Sequence, residues 1–121
     1  MKFIASPENR ADLNEITNCQ HFTVYMFTAS GPAMERAGIF NGDLLVVDRA
    51  LEPQNNDVVV AAVDGEFVVR RLQLNPDLLL PDCDNNHYPP IVPETTQYGH
   101  DVTYLGIFGV VTNSVHRFRN D

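Results

Sequence analysis

"DVVVAAVDGEFVVRRLQL", residues 57–74, is the stretch of the sequence that decides the fold class. Two runs rich in β-branched residues flank the pair Asp64-Gly65. An Asp-Gly pair between such runs is a strong signal for a β-hairpin, because both residues tolerate the positive φ angles of a tight turn. We therefore expect residues 57–74 to form an antiparallel ribbon.

Similar runs of β-branched and aromatic residues lie on both sides of this hairpin. They are FTVYMFTA at 22–29, DLLVVDRA at 43–50 and VTYLGIFGVVTNSV at 102–115. Gly106 and Gly109 in the last run indicate a bulge, a bend or a close backbone approach. The proline-rich segment 76–93 leaves room only for short extended pieces at a sheet edge.

No segment of the chain has a sustained helical period, so we expect a mostly-β, barrel-like domain of antiparallel strands. The length of 121 residues suits one domain. Residues 1–20 are polar and without a clear period, which predicts a short irregular N-terminal arm. The β domain is then expected to occupy residues 21–121.

The charge balance is acidic, with 16 Asp and Glu against 8 Lys and Arg and a formal net charge of −8. Such a surface does not favour direct DNA binding, which depends on basic side chains. The small basic spot of His116, Arg117 and Arg119 is interpreted as a solvated terminus. The sequence also lacks a membrane-length apolar run and a signal peptide, so we expect a cytoplasmic protein with Cys19 and Cys83 as thiols.

Several chemical motifs in the sequence are only weakly indicated. Cys19 with His21 and Cys83 with His87 do not have the usual spacing of a structural zinc site. The acidic turn at 82–87 lacks the ligand spacing of an EF-hand. The glycine-rich loop that contains Gly31 is followed by a strand, whereas phosphate-binding loops need a helix there. We therefore expect no metal and no cofactor.

The loop SGPAMERAGIFNGDLLVVDRA at 30–50, together with residues 57–74, resembles the LexA/UmuD family of self-cleaving peptidases. The resemblance runs from about residue 12 to residue 115. It implies a fold like the C-terminal domain of that family. Family members use a Ser-Lys dyad, whose serine position corresponds here to Ala33 and whose lysine position corresponds to Arg70. The rest of the corresponding loop consists of Ser30, Gly31, Pro32 and Met34.

Neither dyad position carries the residue type that self-cleavage requires. Ala33 offers no nucleophile, and Arg70 cannot act as a base because a guanidinium stays protonated in proteins. Ser30 has no evident activator, since the only lysine is Lys2. We therefore predict a pseudo-peptidase with no catalytic residue. The charge of Arg70 is expected to find a carboxylate, carbonyls or solvent, and Arg71 is expected to be an ordinary surface charge.

The resemblance also implies a function and partners. UmuD-type proteins carry an N-terminal arm that is cut when RecA filaments form, and the resemblance leads us to expect that this sequence begins about where the processed form begins. We expect a non-proteolytic accessory subunit of a Y-family translesion DNA polymerase in the SOS response to DNA damage. It would form a homodimer, or a heterodimer with a UmuD-like protein, through the strand at 104–115, and contact with RecA stays open.

Two alternatives stay open. The first is a dimerisation partner or modulator of a LexA/UmuD-like repressor, with no direct operator binding because no helix-turn-helix segment precedes residue 20. The second is an active self-cleaving serine peptidase, which both dyad positions disfavour.

Overall fold

A single antiparallel sheet dominates the computed structural model, which describes residues 2–5, 23–84, 87–92 and 104–118. Within these ranges the sheet has seven strands in the spatial order β1-β2-β3-β7-β4-β5-β6. The strands are β1 Lys2–Ala5, β2 Val24–Thr28, β3 Leu44–Asp48, β4 Val58–Val63, β5 Glu66–Gln73, β6 Leu78–Leu80 and β7 Tyr104–Val115. The predicted mostly-β fold class is confirmed.

The central hairpin forms as the sequence predicts. Strands β4 and β5 pair from Val58 opposite Arg71 to Val63 opposite Glu66. Asp64 and Gly65 connect the strands with φ angles of 53° and 78°. Positive φ at both central residues is the requirement of the hairpin turn whose twist matches the two strands, so the Asp-Gly pair accounts for the turn.

The long strand β7 joins two parts of the sheet. Its first half pairs with β4, from Tyr104 opposite Val63 to Val110 opposite Val59. Its second half pairs with β3. The strand therefore joins β3 to β4, and among the described pairings only Val110 has a partner on both sides.

The two glycines of β7 mark irregular points, as predicted. The register against β4 shifts at both, between Val60 and Ala61 and between Ala62 and Val63. A Cβ atom on Gly109 would lie 2.8 Å from Cγ1 of Val47. Gly109 therefore permits the close approach of β7 to β3.

Strand β4 is buried on both sides of the sheet. Val60 belongs to a core cluster with Phe27, Leu45 and Val47, whereas its neighbour Val59 belongs to a second cluster. Because side chains alternate along a strand, burial on both faces explains the continuous apolar run of this segment. The first cluster also contains Ala33 and Met34, so the core anchors the loop that carries the candidate site.

The ends of the sheet differ in how well the sequence predicted them. At one end β6 is short and its Leu79 bridges to Ile91, which confirms the short extended pieces expected there. At the other end Lys2–Ala5 pairs with β2 as a strand, inside the segment predicted to be an irregular arm. Four residues are too few to show a strand period. Residues 6–22, which make up the rest of that arm, lie outside the described residues.

Among the described residues, no helix is long and apolar enough to span a membrane. Cys83 is present as a thiol, and Cys19 lies outside the described ranges.

Candidate functional site

The loop between β2 and β3 folds back on itself and so holds the candidate site in a fixed shape. The N–H of Ala29 donates to the carbonyl of Asp43 at 2.9 Å, and the N–H of Gly42 donates to the carbonyl of Ala29 at 2.8 Å. Gly31 has a φ of 83°, and its N–H donates to Oδ1 of Asn41 at 2.9 Å. A side chain at residue 31 would be strained, which explains the glycine.

The same loop is joined to the segment that follows β6. The N–H of Asp82 donates to the carbonyl of Ala33 at 2.8 Å, and the N–H of Arg36 donates to the carbonyl of Asp82 at 2.8 Å. The Asp82 carboxylate accepts a hydrogen bond from Nη2 of Arg71 at 3.2 Å. Arg71 also donates from Nη1 to the carbonyl of Asn56 at 2.8 Å. Arg71 is therefore a half-buried linking residue, and its prediction as an ordinary surface charge is wrong.

A cleft of about 190 Å³ opens between this loop and strand β5. Its lining consists of Ser30, Ala33, the five β5 residues Glu66–Arg70, and Tyr88. The structure thus brings together Ala33 and Arg70, the two positions that the sequence analysis paired. Tyr88 was not predicted, because it lies in a proline-rich segment with no strand or helix pattern.

The predicted loop residues divide into buried and exposed members. Ala33 and Met34 are buried in the core, with 4% and 1% of their surface exposed. Gly31 and Pro32 are half-buried, and Ser30 is exposed. The only side-chain hydroxyl of the loop therefore lies at the mouth of the cleft, while a methyl group occupies the inner position.

Arg70 is the cation of the cleft and is incompletely paired. Its Nη1 donates to the carbonyl of Val69 at 2.7 Å, and its Cζ lies 5.5 Å from the centre of the Tyr88 ring. Its Nε is buried and has no hydrogen-bond partner among the described residues. Of the three environments expected for this charge, the structure shows a carbonyl.

The surroundings of Arg70 have opposite effects on its pKa. Burial lowers the pKa of Arg70 from its ordinary value, because desolvation disfavours a charged group. The nearby Tyr88 and Cys83 act in the opposite direction. A guanidinium has a very high ordinary pKa and remains protonated in proteins, so Arg70 is a permanent cation here.

A second polar arrangement joins the loop to the C-terminal tail. The Asp43 carboxylate is buried, accepts from the N–H of Phe40 at 2.8 Å, and lies 2.6 Å from Nδ1 of His116. The His116 ring also contacts the rings of Phe40 and Phe118 edge to face. His116 is exposed, as expected for a solvated terminus, but its ring is also bound to the loop through Asp43. The pair could not be predicted because residues 43 and 116 are far apart in the sequence.

The described part of the chain contains no group of three or more His, Cys, Asp or Glu side chains that could hold a metal ion. The polar side chains that line the cleft, and so are placed to contact a molecule in it, belong to Ser30, Glu66, Arg70 and Tyr88.

Comparison with known proteins identifies the family. The model of the peptidase S24-like family matches residues 2–111 of this chain. The chain belongs to that family. Protein ImpA of Escherichia coli is 42% identical to this peptidase S24-like chain over 113 residues, which are 93% of the chain and 72% of ImpA. Protein SamA of Salmonella typhimurium is 40% identical over 113 residues, covering 93% of the chain and 74% of SamA.

Repressors belong to the same group of relatives. The LexA repressor of Glaesserella parasuis is 35% identical over 91 residues, which are 75% of this chain and 41% of the repressor. The LexA/UmuD membership predicted from the loop at 30–50 is therefore confirmed. Within this peptidase S24-like family the chain is UmuD-like, which connects it with the proteins of SOS mutagenesis.

Proposed function

We propose that this chain is a non-proteolytic, UmuD-like accessory subunit of an error-prone translesion DNA polymerase, acting in the cytoplasm during the SOS response. One observation carries the proposal: Ala33 and Arg70, the positions of the family's dyad, line the same cleft. The cleft is thus placed like an active site but has neither the nucleophile nor the base.

The chemistry of the cleft supports a loss of peptidase activity. A methyl group at residue 33 cannot attack a carbonyl carbon, and a protonated guanidinium cannot accept the proton of a hydroxyl. Ser30 lines the mouth of the cleft, but no lysine or histidine lines the described cleft beside it. Removing the reacting groups leaves only the binding capacity of such a site.

The retained scaffold supports a binding role. The sheet, the hairpin and the loop at 29–43 are all formed. A binding role needs this scaffold but requires no bond cleavage. We propose that the chain pairs with a second copy or with a UmuD-like relative through the second half of β7. In the described residues, Val111–Val115 has β3 on one side and no strand on the other. An unpaired edge of this kind is available to another chain.

A cleavage assay tests the missing activity. A synthetic peptide that contains the cleavage region of a UmuD-like relative is incubated with the unmodified protein and with the double variant Ala33→Ser/Arg70→Lys. We expect no cleavage by the unmodified protein, and cleavage by the double variant, measured by mass spectrometry. The single variants Ala33→Ser and Arg70→Lys are the controls and should be inactive, because each lacks one half of the dyad. Cleavage by the unmodified protein would contradict the proposal.

An association assay tests the accessory role. The tagged chain is co-expressed with the catalytic subunit of a Y-family polymerase from the same host, and the complex is measured by size-exclusion chromatography with light scattering. We expect co-elution at the mass of a dimer of this chain plus one polymerase. If a known UmuD-type pair co-elutes under the same conditions and this chain does not, the accessory role is wrong.

The match to LexA repressors favours a second candidate function, the modulation of a LexA-like repressor by heterodimer formation. The chain would then alter the self-cleavage or the DNA binding of the repressor. The two functions are distinguished by mixing the purified chain with the repressor of the same host and measuring the rate of repressor cleavage. A neighbouring polymerase gene favours the accessory role, and a neighbouring repressor gene favours this alternative.

A further inference from the structure

The site loop, residues 29–43, closes on Asp43, the residue that precedes β3. The N–H of Ala29 donates to the carbonyl of Asp43, and the N–H of Asp43 donates to the carbonyl of Phe40 at 3.0 Å. Oδ2 of Asp43 accepts in return from the N–H of Phe40. Asp43 therefore holds the loop beside the cleft at two points, through its backbone and through its carboxylate.

The buried carboxylate of Asp43 depends on the C-terminal tail for a further partner. Only 1% of the surface of Asp43 is exposed, and its Oδ1 lies 2.6 Å from Nδ1 of His116. A buried carboxylate that loses a hydrogen-bond partner destabilises the protein. The His116 ring is also held by its edge-to-face contacts with Phe40 and Phe118. Docking of the tail and closure of the site loop are therefore linked energetically.

His116 directly follows the part of β7 that has a free edge. Val115 is the last residue of β7 and pairs with Leu44, so the bond between His116 and Asp43 extends the β3–β7 ladder by one step. Within the described residues, positions 111–115 have no strand on their other side. A strand end that is paired on one side only opens more readily than one paired on both sides, because fewer backbone hydrogen bonds hold it. Opening of this end moves His116 away from Asp43.

Exposed apolar side chains lie at the same end of β7. Val115, Phe40 and Phe118 are three of the five large apolar side chains that are exposed in the described part of the chain. Covering such surface is favourable. A second copy of the chain that pairs with residues 111–115 would reach this end of the strand and hold the tail in its docked position.

We propose that the Asp43–His116 pair is a latch that couples the free edge of β7 to the site loop, so that a second copy pairing with residues 111–115 orders the loop beside the cleft. In the docked state His116 holds Asp43 and the loop is closed. In the released state the loop opens more often. Two sites are coupled when both bias the same two-state element, and the docked tail is that element here. The coupling rests on the pairing proposed above, whereas the latch itself belongs to a single chain.

Amide hydrogen exchange, measured by mass spectrometry on the full chain, tests the latch in the monomer. Openings that break the Asp43–His116 pair become more frequent when the pair is removed, and openings that leave it intact do not. In His116→Ala we expect residues 29–43 to exchange about tenfold faster, because a hydrogen bond to a buried carboxylate is lost. Arg117→Ala, in the same exposed tail, is the matched control and should leave this exchange unchanged.

Two comparisons separate the latch from a general loss of stability. In the unmodified chain the site loop should exchange faster than the hairpin of β4 and β5, which shows that the loop opens without global unfolding. His116→Asn should restore part of the protection, because its side-chain amide can donate from about the position of Nδ1. The latch is overturned if a folded His116→Ala variant keeps the loop exchange of the parent, or if loop and hairpin exchange at the same rate in the parent.

Dilution tests the coupling to the edge of β7. Light scattering identifies the concentrations at which the chain is monomeric or dimeric, and loop exchange is measured at both. We expect the loop to exchange at least about threefold more slowly in the dimer. His116→Ala should lose this difference, and so should Asp43→Asn, which breaks the pair from the loop side, away from the strand edge.

The outcomes distinguish the coupling from the pairing on which it rests. A dimer whose loop exchanges as fast as that of the monomer, or a variant without the latch that keeps the difference, overturns the coupling. A chain that stays monomeric at every concentration contradicts the proposed pairing and the coupling together. The exchange of the monomeric His116→Ala variant then still decides whether the latch exists.

Discussion

Replacing Gly109 with alanine gives the sharpest test of how β7 crosses from β4 to β3. The added Cβ would lie 2.8 Å from Cγ1 of Val47 and 3.1 Å from the carbonyl oxygen of Asp48, whereas ordinary contacts begin at 3.4 Å. Val47 is fully buried and cannot turn toward solvent. The backbone oxygen of Asp48 belongs to a paired strand. The two strands must therefore separate locally to admit one methyl group.

The magnitude follows from two opposing effects. Overpacking a filled site costs about 1–3 kcal/mol. Alanine also restricts the unfolded chain more than glycine does, which returns about 0.4–1 kcal/mol. We expect a net loss of about 1–2 kcal/mol in the free energy of unfolding, measured by urea denaturation followed by circular dichroism. For a chain of this size the melting temperature should fall by roughly 4–10 °C.

A double-mutant cycle identifies the contact responsible. Val47→Ala removes the Cγ1 atom that the new methyl group would meet, and this variant alone is destabilised by its cavity. In the double variant Gly109→Ala/Val47→Ala, the combined loss should be smaller than the sum of the single losses by about 0.5–1.5 kcal/mol. Additive losses, or a Gly109→Ala variant as stable as the parent, would refute the crossing described here.

Two further predictions concern the tail and the hairpin turn. His116→Ala should lower the free energy of unfolding by about 1–3 kcal/mol, because the buried Asp43 carboxylate loses its ring partner. The control is Arg117→Ala in the same exposed tail. If urea denaturation gives the same loss for both variants, the stabilising role of the Asp43–His116 pair is contradicted. Gly65→Ala should cost about 1–2 kcal/mol in the same assay, since alanine resists the φ of 78°. Gly65→Asn should recover part of that loss because asparagine tolerates positive φ. If Gly65→Ala leaves the free energy of unfolding unchanged, the turn has changed type.

The parts of the fold that the sequence predicts are those set by local chemistry. Asp64-Gly65 determines the hairpin because two adjacent residues supply the backbone angles of the turn. Gly106 and Gly109 reveal irregular points in β7 because a missing side chain is visible in the sequence. The site loop was located through the resemblance of residues 30–50 to a family, and the structure brings Ala33 and Arg70 into one cleft.

The parts that escaped prediction depend on contacts between distant segments. Oδ1 of Asp43 lies 2.6 Å from Nδ1 of His116. The sequence around each residue contains no motif that predicts this pairing. In the sequence Asp82 is one residue of an acidic turn, whereas in the structure its carboxylate accepts from Arg71 and its backbone is hydrogen-bonded to the site loop. Tyr88 also escaped prediction, because its contact with the guanidinium of Arg70 exists only in the folded chain.

The nature of Arg70 bears on both the proposed loss of peptidase activity and the proposed binding role. A position released from catalysis could hold an apolar residue, which would fill the same space without desolvating a charge. Instead the described structure holds a permanent cation whose buried Nε has no partner. Leaving such a donor unpaired costs about 1–3 kcal/mol, and the pairing of β5 with β4 does not involve this side chain. A catalytic base does not explain this cost, since a guanidinium stays protonated, whereas a charge at this position is consistent with the proposed binding role.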